Sequence, residues 1–207
     1  MSIIVPAARV ERWIANFAER HGRATLTLAH GALTGAAEDG SDFTAVLPFD
    51  APYAGSADAA SFAAAAASGV PADWGVLLVR KGGFALARLA GESVVESKTG
   101  QRHVQGRTKA GGQSQQRFAR RRENQARQAY EAAADHAARI LGSGSRPVVV
   151  GGDRAAVDEV LADPRLRGLR VVGPWLPVPD PRRGILEQAV RDACAARFDV
   201  RNAGESS

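Results

Sequence analysis

The pattern that most constrains the fold of this chain begins at Trp74. An apolar run at residues 76–79 ends at Lys81-Gly82-Gly83, a sequence that is typical of a β-hairpin turn. Two further short strands follow, at residues 84–86 and 92–98. Because tight turns join antiparallel neighbours, the three segments predict a meander of strands in one sheet.

A long helix and two strand–helix units are predicted after the meander. Helical periodicity begins at Ser114, a good N-cap, and continues to about Leu141, which corresponds to a rod of roughly 42 Å. Two units of a strand and a helix follow, with strands at residues 147–150 and 169–172 and helices at about 153–161 and 181–198. This order predicts an α/β fold with a mixed sheet and helices packed on its faces, in the order of the ribonuclease H-like topology.

A metal-dependent nuclease is disfavoured although its topology would match. Such an enzyme needs several carboxylates that converge on metal ions. The first strand of the meander contains no acid, and Glu92 and Glu96 on the third strand have no obvious partners. Cys194 is the single cysteine and the four histidines are scattered, so we expect neither a metal site nor a cofactor.

The first 70 residues predict a small α+β layer. A helix over about residues 8–20, strands at 23–29 and 43–47, and an alanine-rich helix at 56–68 anchored by Phe62 are expected. We therefore predict an N-terminal module at residues 1–70, a main domain at 71–200 and a polar tail at 201–207. The longest near-apolar stretch, residues 62–67, is far shorter than a membrane span, so we expect a cytoplasmic protein with no membrane partner.

The positive charge of the chain is concentrated in one window. The net charge is +5, but residues 102–127 contain eight basic residues and only one acid, Glu123. That window therefore carries +7 and the rest of the chain carries −2. A localised basic stripe is typical of a protein that binds a polyanion, although a solvated helix face would give the same pattern.

The basic window contains the string GRTKAGGQSQQRFARRRENQ at residues 106–125. It puts Gly111-Gly112-Gln113 at the tip of a predicted loop, residues 99–113, beside the start of the long helix. Paired glycines permit backbone angles that other residues avoid and add almost no bulk. The N–H groups of a helix start favour an oxyanion or a phosphate, and Gln113 offers an uncharged amide that can position water. Taken alone, the three residues are also compatible with a plain flexible turn.

The sequence around this tip resembles a known family. Gly111-Gly112-Gln113-Ser114, followed two residues later by Arg117-Phe118-Ala119-Arg120, closely resembles the GGQ segment in the central domain of eukaryotic and archaeal class I release factors. The hairpins before the motif and the strand after it fall in the same order, so the resemblance covers roughly residues 71–198. Only about 70 residues come before this region and they contain no NIKS-like decoding motif. This pattern is similar to that of the VLRF-type release factors.

The resemblance implies a release-factor catalytic domain that acts without reading a stop codon. Its expected substrate is the ester between a nascent chain and the tRNA 3′ end, on a stalled large ribosomal subunit. The catalytic residues that it implies are Gln113, Gly112 and Gly111. The residues that it implies for binding rRNA and tRNA phosphates are Arg107, Lys109, Arg117, Arg120, Arg121 and Arg122. The expected partners are thus the large subunit and peptidyl-tRNA, and DNA is not expected.

Two alternative functions stay open from the sequence. Relatives of this type are associated with cutting near the tRNA 3′ CCA end as well as with ester hydrolysis, and the sequence does not separate these reactions. A non-catalytic ribosome-binding adaptor would use the loop only to dock. The N-terminal 70 residues could recognise a rescue complex or the tRNA acceptor arm, or could serve only as packing.

Overall fold

The computed structural model of the protein describes residues 1–101, 113–142 and 144–204, and it describes residues 113–124 by their backbone only. The described residues form ten strands and five α-helices. In chain order these are β1 (Ser2–Val5), α1 (Val10–His21), β2 (Ala24–Ala29), β3 (Ala32–Ala37), β4 (Asp42–Val46), α2 (Ala59–Ser68), β5 (Trp74–Arg80), β6 (Gly83–Ala90), β7 (Ser93–Gln101), α3 (Gln113–Leu141), β8 (Pro147–Gly152), α4 (Arg154–Leu161), β9 (Arg170–Leu176), α5 (Arg183–Ala193) and β10 (Ala196–Arg201). The expected α/β class is confirmed.

The chain divides into two compact units. The first unit is Met1–Val70 together with Arg191–Ser207, and the second unit is Pro71–Val190. The predicted main domain of residues 71–200 extends ten residues beyond the second unit, which ends at Val190. The last strand of the chain belongs with the N-terminal residues, because its backbone pairs with strands of the first unit.

The first unit contains an antiparallel sheet in the order β1-β10-β4-β3-β2. The predicted helix of residues 181–198 is wrong beyond Ala193, because residues 196–201 form β10 between β1 and β4. Phe198 on this strand is fully buried and lies 4.3 Å from the ring of Trp13 and 5.5 Å from that of Phe43, centroid to centroid. Burial of alternate residues along β10 thus favours a strand over a continued helix.

The alanine-rich helix α2 forms as the sequence predicts. Asp58 accepts a hydrogen bond from the backbone N–H of Ser61 at 2.8 Å and so caps the helix start. Gly69 follows its last residue, and Phe62 is fully buried against the core of the first unit.

The second unit contains the predicted meander and strand–helix units in one mixed sheet. Its strand order is β7-β6-β5-β8-β9, with β5, β8 and β9 parallel to one another and β6 antiparallel to β5 and β7. Side chains of α3 and α4 pack on one face of this sheet, against a core that includes Leu77, Leu86 and Val148. The central strand is buried on both faces, as shown by Leu77 and Leu78, which have no exposed surface.

Strand directions give this sheet two distinct ends. β5, β7, β8 and β9 all run toward the same end, which they reach at Arg80, Gln101, Gly152 and Leu176. We call this the loop end, because the segment that contains the GGQ sequence follows β7. The other end, where β5 begins at Trp74, is called the opposite end.

The described parts of the chain contain neither a membrane-spanning helix nor a metal-binding group of side chains. Within residues 1–101, 113–142 and 144–204, no helix is both long and apolar enough to cross a membrane. Among the same residues, no three His, Cys, Asp or Glu side chains lie close enough together to hold a metal ion.

Candidate functional site

The structure describes only part of the site that the sequence predicts. Gln113 is the first residue of α3, one residue before the predicted start at Ser114. Strand β7 extends to Gln101, so the predicted loop of residues 99–113 is too long at both of its ends. The predicted site residues Gly111, Gly112, Arg107 and Lys109 lie outside the described residues. Arg117, Arg120, Arg121 and Arg122 lie on α3, where only the backbone is described.

The two elements on either side of the GGQ segment are tied to each other. Near the end of β7, Gly100 lies opposite Phe84, and any Cβ at this glycine would overlap the Phe84 ring. The same ring lies 5.7 Å, centroid to centroid, from that of His136 on α3. Closer to the opposite end, Arg139 of α3 forms a 2.6 Å ion pair with Glu96 of β7. Strand β7, which precedes the segment, is therefore attached to the C-terminal half of α3, the helix that follows it.

Small side chains bring the C-terminal half of α3 close to the sheet. Ala133 and Ala137 have no exposed surface, and Ile140 and Leu141 are buried below them. The stripe has the spacing of one helical face, as the sequence predicts. A second attachment comes from Arg165, which donates to Asp135 on α3 at 2.7 Å and to Asp163 at 2.7 Å. The hydrogen bonds from Arg165 hold the pKa of Asp163 at about 2.

Tyr130 marks the place where α3 passes the loop end of the sheet. Burial raises the pKa of its phenol, and the nearby carboxylates of Asp153 and Glu159 raise this pKa further. Asp153 directly follows the end of β8, and its backbone N–H donates to Val79 on β5 at 2.9 Å. From Gln125 onward, where side chains are described, the first buried position is Ala129.

The rest of α3 forms an extension that we call the helix arm, residues 113–128. At about 1.5 Å per residue, these 16 residues span about 24 Å. Gln113 is at the far end of the arm. The first residue of the helix is therefore about 24 Å of helix away from Ala129, the first buried position among those whose side chains are described.

Helical geometry distributes the four arm arginines unequally. At about 100° per residue, positions 117, 120 and 121 fall on the side of α3 opposite the buried alanine stripe. Position 122 falls on the same side as that stripe. Helical spacing already predicts from the sequence that the four arginines cannot all face one way, and the helix divides them into three and one.

The turn after β8 is a helix cap. Asp153 accepts a hydrogen bond from the backbone N–H of Ala155 at 3.1 Å and caps α4. Gly152 adopts φ 102°, and a Cβ at this position would overlap the carbonyl oxygen of Val79. The close approach of β5 therefore explains why a glycine occupies this position.

Sequence reasoning does not find a group of cations at the loop end. Arg80, at the end of β5, donates to the carbonyl oxygen of Val178 at 2.8 Å. Arg154, the first residue of α4, lies over the ring of Trp175, with its guanidinium carbon 4.3 Å from the ring centroid. No local motif signals this group, because the residues come from three separate segments that only the sheet brings together.

Comparison with known proteins identifies the family of the chain. No curated protein matches it. The family described as the actinobacteria/chloroflexi VLRF1 release factor matches residues 72–199. The matched region covers nearly all of the second unit and continues into β10, and it includes the GGQ segment and the helix arm. Because this match covers more than half of the sequence, the chain belongs to the actinobacteria/chloroflexi VLRF1 release factor family.

Proposed function

We propose that this protein is a ribosome-associated peptidyl-tRNA hydrolase that releases nascent chains from tRNA on stalled large subunits. The observation that carries the proposal is the sequence GGQS followed by RFAR at the start of a 29-residue helix, in a chain of a release-factor family. Membership of that family indicates a release function in translation, and hence an interaction with the ribosome.

The reaction is hydrolysis of the ester between the nascent chain and the 3′-terminal ribose. A water oxygen attacks the carbonyl carbon, the bond from that carbon to the ribose oxygen breaks, and a proton from the water passes to the leaving ribose oxygen. Such a step requires a well-placed water and donors for the oxyanion that forms. Gln113 supplies its backbone N–H to that oxyanion, and its side-chain amide orients the water. Gly111 and Gly112 give the backbone its shape, and no nucleophile from the protein takes part.

The helix arm supports a mechanism in which the loop reaches into a confined site. Its 16 residues span about 24 Å of helix, so we propose that the loop before it enters an RNA-lined cavity that the rest of the second unit cannot enter. The other half of α3 is anchored to the sheet by Ala133 and Ala137.

Positive charge in the GGQ segment and along the arm suits an RNA environment. Arg107, Lys109, Arg117, Arg120 and Arg121 are proposed to bind rRNA and tRNA phosphates. Arg122 is given a smaller role, because its helical position lies on the side of the buried stripe.

Release without a codon is proposed from the composition of the first unit. Its residues contain no NIKS-like decoding motif, and they form a compact antiparallel sheet with two helices rather than a loop-bearing extension of the second unit. We therefore expect release to be independent of the codon in the small subunit.

The direct test compares Gln113→Ala with Gln115→Ala in a release assay on large subunits that carry peptidyl-tRNA. Gln115 is the matched control, because it is the same residue type one half-turn further along the same helix. We expect about a 100-fold slower release for Gln113→Ala and a near wild-type rate for the control. Undiminished release by Gln113→Ala would rule out the catalytic assignment and favour an adaptor.

A further inference from the structure

We propose that Arg80, Lys81 and Arg154, with Trp175 beneath Arg154, form a second RNA-binding surface at the base of the helix arm. We call these four residues the loop-end surface. The inference rests on the proposed function, because it assigns a partner, the RNA sugar–phosphate backbone, to the same end of the second unit. It does not depend on the chemistry at Gln113.

Arg80 is oriented but keeps its charge uncompensated. Its side chain is exposed at the end of β5, and its one hydrogen bond among the described residues is the 2.8 Å donation to the Val178 carbonyl. A guanidinium has five N–H donors, so most of them remain available. The carbonyl bond holds the side chain in place, which lowers the entropy lost when it binds a phosphate. Lys81 adds a second exposed cation in the adjoining hairpin turn.

Arg154 is oriented by an aromatic ring. Its guanidinium lies over Trp175, which is itself partly buried against the core of the second unit. A cation–π contact fixes the plane of the guanidinium and leaves its edge free to donate to phosphate oxygens. Among the described residues, neither Arg80 nor Arg154 is paired with a carboxylate.

The two arginines are adjacent across β5 and β8. The backbone N–H of Asp153 donates to the Val79 carbonyl at 2.9 Å. An ideal Cβ placed on Gly152 would lie 3.1 Å from Cγ of Arg80. The cations thus occupy neighbouring positions at the end of parallel strands, where ligands of α/β sheets commonly bind.

The acids beside these cations do not neutralise the surface. Asp153 accepts from the N–H of Ala155 as the α4 cap, and Asp180 pairs with Arg182 at 2.7 Å. Within the described part of the chain, the loop-end surface therefore has three cations, against the carboxylates of Asp153 and of Glu159 near Tyr130. This excess of positive charge suits a polyanion better than a basic or apolar ligand.

The position of the loop-end surface indicates which part of the RNA it would contact. The base of the arm and the loop-end surface lie at the same end of the sheet. About 24 Å of helix separates this end from Gln113. RNA that contacts this surface would therefore lie outside the cavity that the loop enters. We infer that the surface binds backbone phosphates around the cavity mouth and sets how deep the arm inserts.

The test measures binding to large subunits that carry peptidyl-tRNA, at about 50 and about 200 mM salt. The variants are the double variant Arg80→Glu with Lys81→Glu and the single variant Arg154→Glu. The matched control is Arg167→Glu, an exposed arginine of the same unit at the opposite end. We expect about tenfold weaker binding at low salt for the double variant, and a salt slope shallower by about 1 for each phosphate that is no longer bound. The control should bind like wild type.

Two additions keep the outcome interpretable. Lys81→Glu alone changes an exposed turn residue, so it tests the surface even if Arg80→Glu disturbs the Val178 hydrogen bond. Every binding measurement is repeated in the Gln113→Ala background, where loss of release does not affect the readout. Vacant large subunits and free tRNA, used as separate ligands, show whether the phosphates belong to rRNA or to tRNA.

The results separate this inference from the proposed function. Weaker binding with a reduced salt slope supports the loop-end surface even if Gln113→Ala releases normally. The inference is overturned if both Lys81→Glu and Arg154→Glu bind large subunits with the wild-type affinity and salt slope, whatever the result of the release assay. Equal weakening by Arg167→Glu also overturns it, because the effect would then come from net charge alone.

Discussion

Two pairs of arginines, one pair at each end of the second unit, are held in different ways. At the opposite end, Arg88 and Arg146 both donate to Asp73, at 3.0 and 2.7 Å. At the loop end, Arg80 is held by a carbonyl oxygen and Arg154 by an indole ring. A carboxylate cancels most of the charge of its partner, whereas a carbonyl or a ring leaves it in place. Charge substitutions should therefore change stability at one end and RNA binding at the other.

The largest effect is expected at the GGQ motif, whose segment follows β7 at the loop end. We expect Gly112→Ala to slow peptide release about 100-fold, because a Cβ adds bulk in a confined cavity and restricts the backbone beside Gln113. Binding to large subunits and the melting temperature should stay at the wild-type values. Gly106→Ala, in the same segment but outside the motif, is the control and should release normally. Equal loss in both variants would mean that the whole segment, and not the tip, is being tested.

A smaller effect is expected from the arm arginines. Reversal of both Arg120 and Arg121 should weaken large-subunit binding by about tenfold at low salt, since two cations that bind phosphate are replaced by acids. Reversal of Arg122 should have less effect, because helical geometry puts it on the side of the buried stripe. Co-sedimentation at two salt concentrations measures both variants. If Arg122→Glu weakens binding as much as the pair, the division of the arm into two sides is wrong.

At the opposite end, a charge substitution should change stability and leave function intact. The hydrogen bond from Arg146 lowers the pKa of Asp73, and the Arg146 side chain is only 13% exposed. Asp73→Ala leaves that guanidinium without its carboxylate, which we expect to cost about 1 kcal/mol and about 3 °C in Tm. Thermal unfolding measures the loss, with Asp158→Ala on the surface of α4 as the control. A tenfold loss of release with unchanged Tm would break the comparison between the two ends.

The smallest effect is a pH dependence at Asp163. Its folded pKa is lowered to about 2 by hydrogen bonds from Arg165, so its ionised form stabilises the folded state. This contribution is fully present above about pH 4 and is lost as the pH falls through about 2. Asp163→Asn should therefore lower Tm slightly at about pH 7. The difference in Tm between the variant and the wild type should become smaller below about pH 3. A Tm difference that becomes larger in acid would contradict the predicted direction of this pH dependence.

Strong local signals make much of the second unit predictable. The run at residues 76–79 is apolar because β5 is buried on both faces, and the turn that follows it is the hairpin that the sequence indicates. Asp153 caps α4, and the alanine stripe of α3 packs as its spacing predicts. These elements depend mainly on residues near them in sequence, so local reasoning is sufficient.

The errors fall where distant segments decide the structure. The sequence predicts the end of a helix where β10 forms, but the residues of β10 pair with β1 and β4, nearly the whole chain away. Strand β3, with the sequence ALTGAA, is not predicted, because its small residues have weak strand propensity. Gly35 in this strand gives space to the Phe43 ring, which is a contact that no local pattern shows.

The loop-end surface escapes sequence reasoning for a similar reason. Arg80, Arg154 and Trp175 are far apart in sequence, and their segments meet only because β5, β8 and β9 are parallel neighbours. The GGQ motif, in contrast, is contiguous, so sequence alone indicates it. A motif of consecutive residues can be read from the chain, whereas a surface assembled by a sheet requires the fold.

The most direct test of the central claim is hydrolysis in water enriched in oxygen-18, on large subunits that carry peptidyl-tRNA. Ester hydrolysis predicts that the released peptide gains one heavy oxygen in its terminal carboxylate and that the tRNA keeps an intact CCA end that can be aminoacylated again. Mass spectrometry of the peptide and sizing of the tRNA 3′ end measure both products. A peptide that still carries a nucleotide, together with a shortened tRNA and no incorporated label, would contradict ester hydrolysis and identify cleavage of the tRNA.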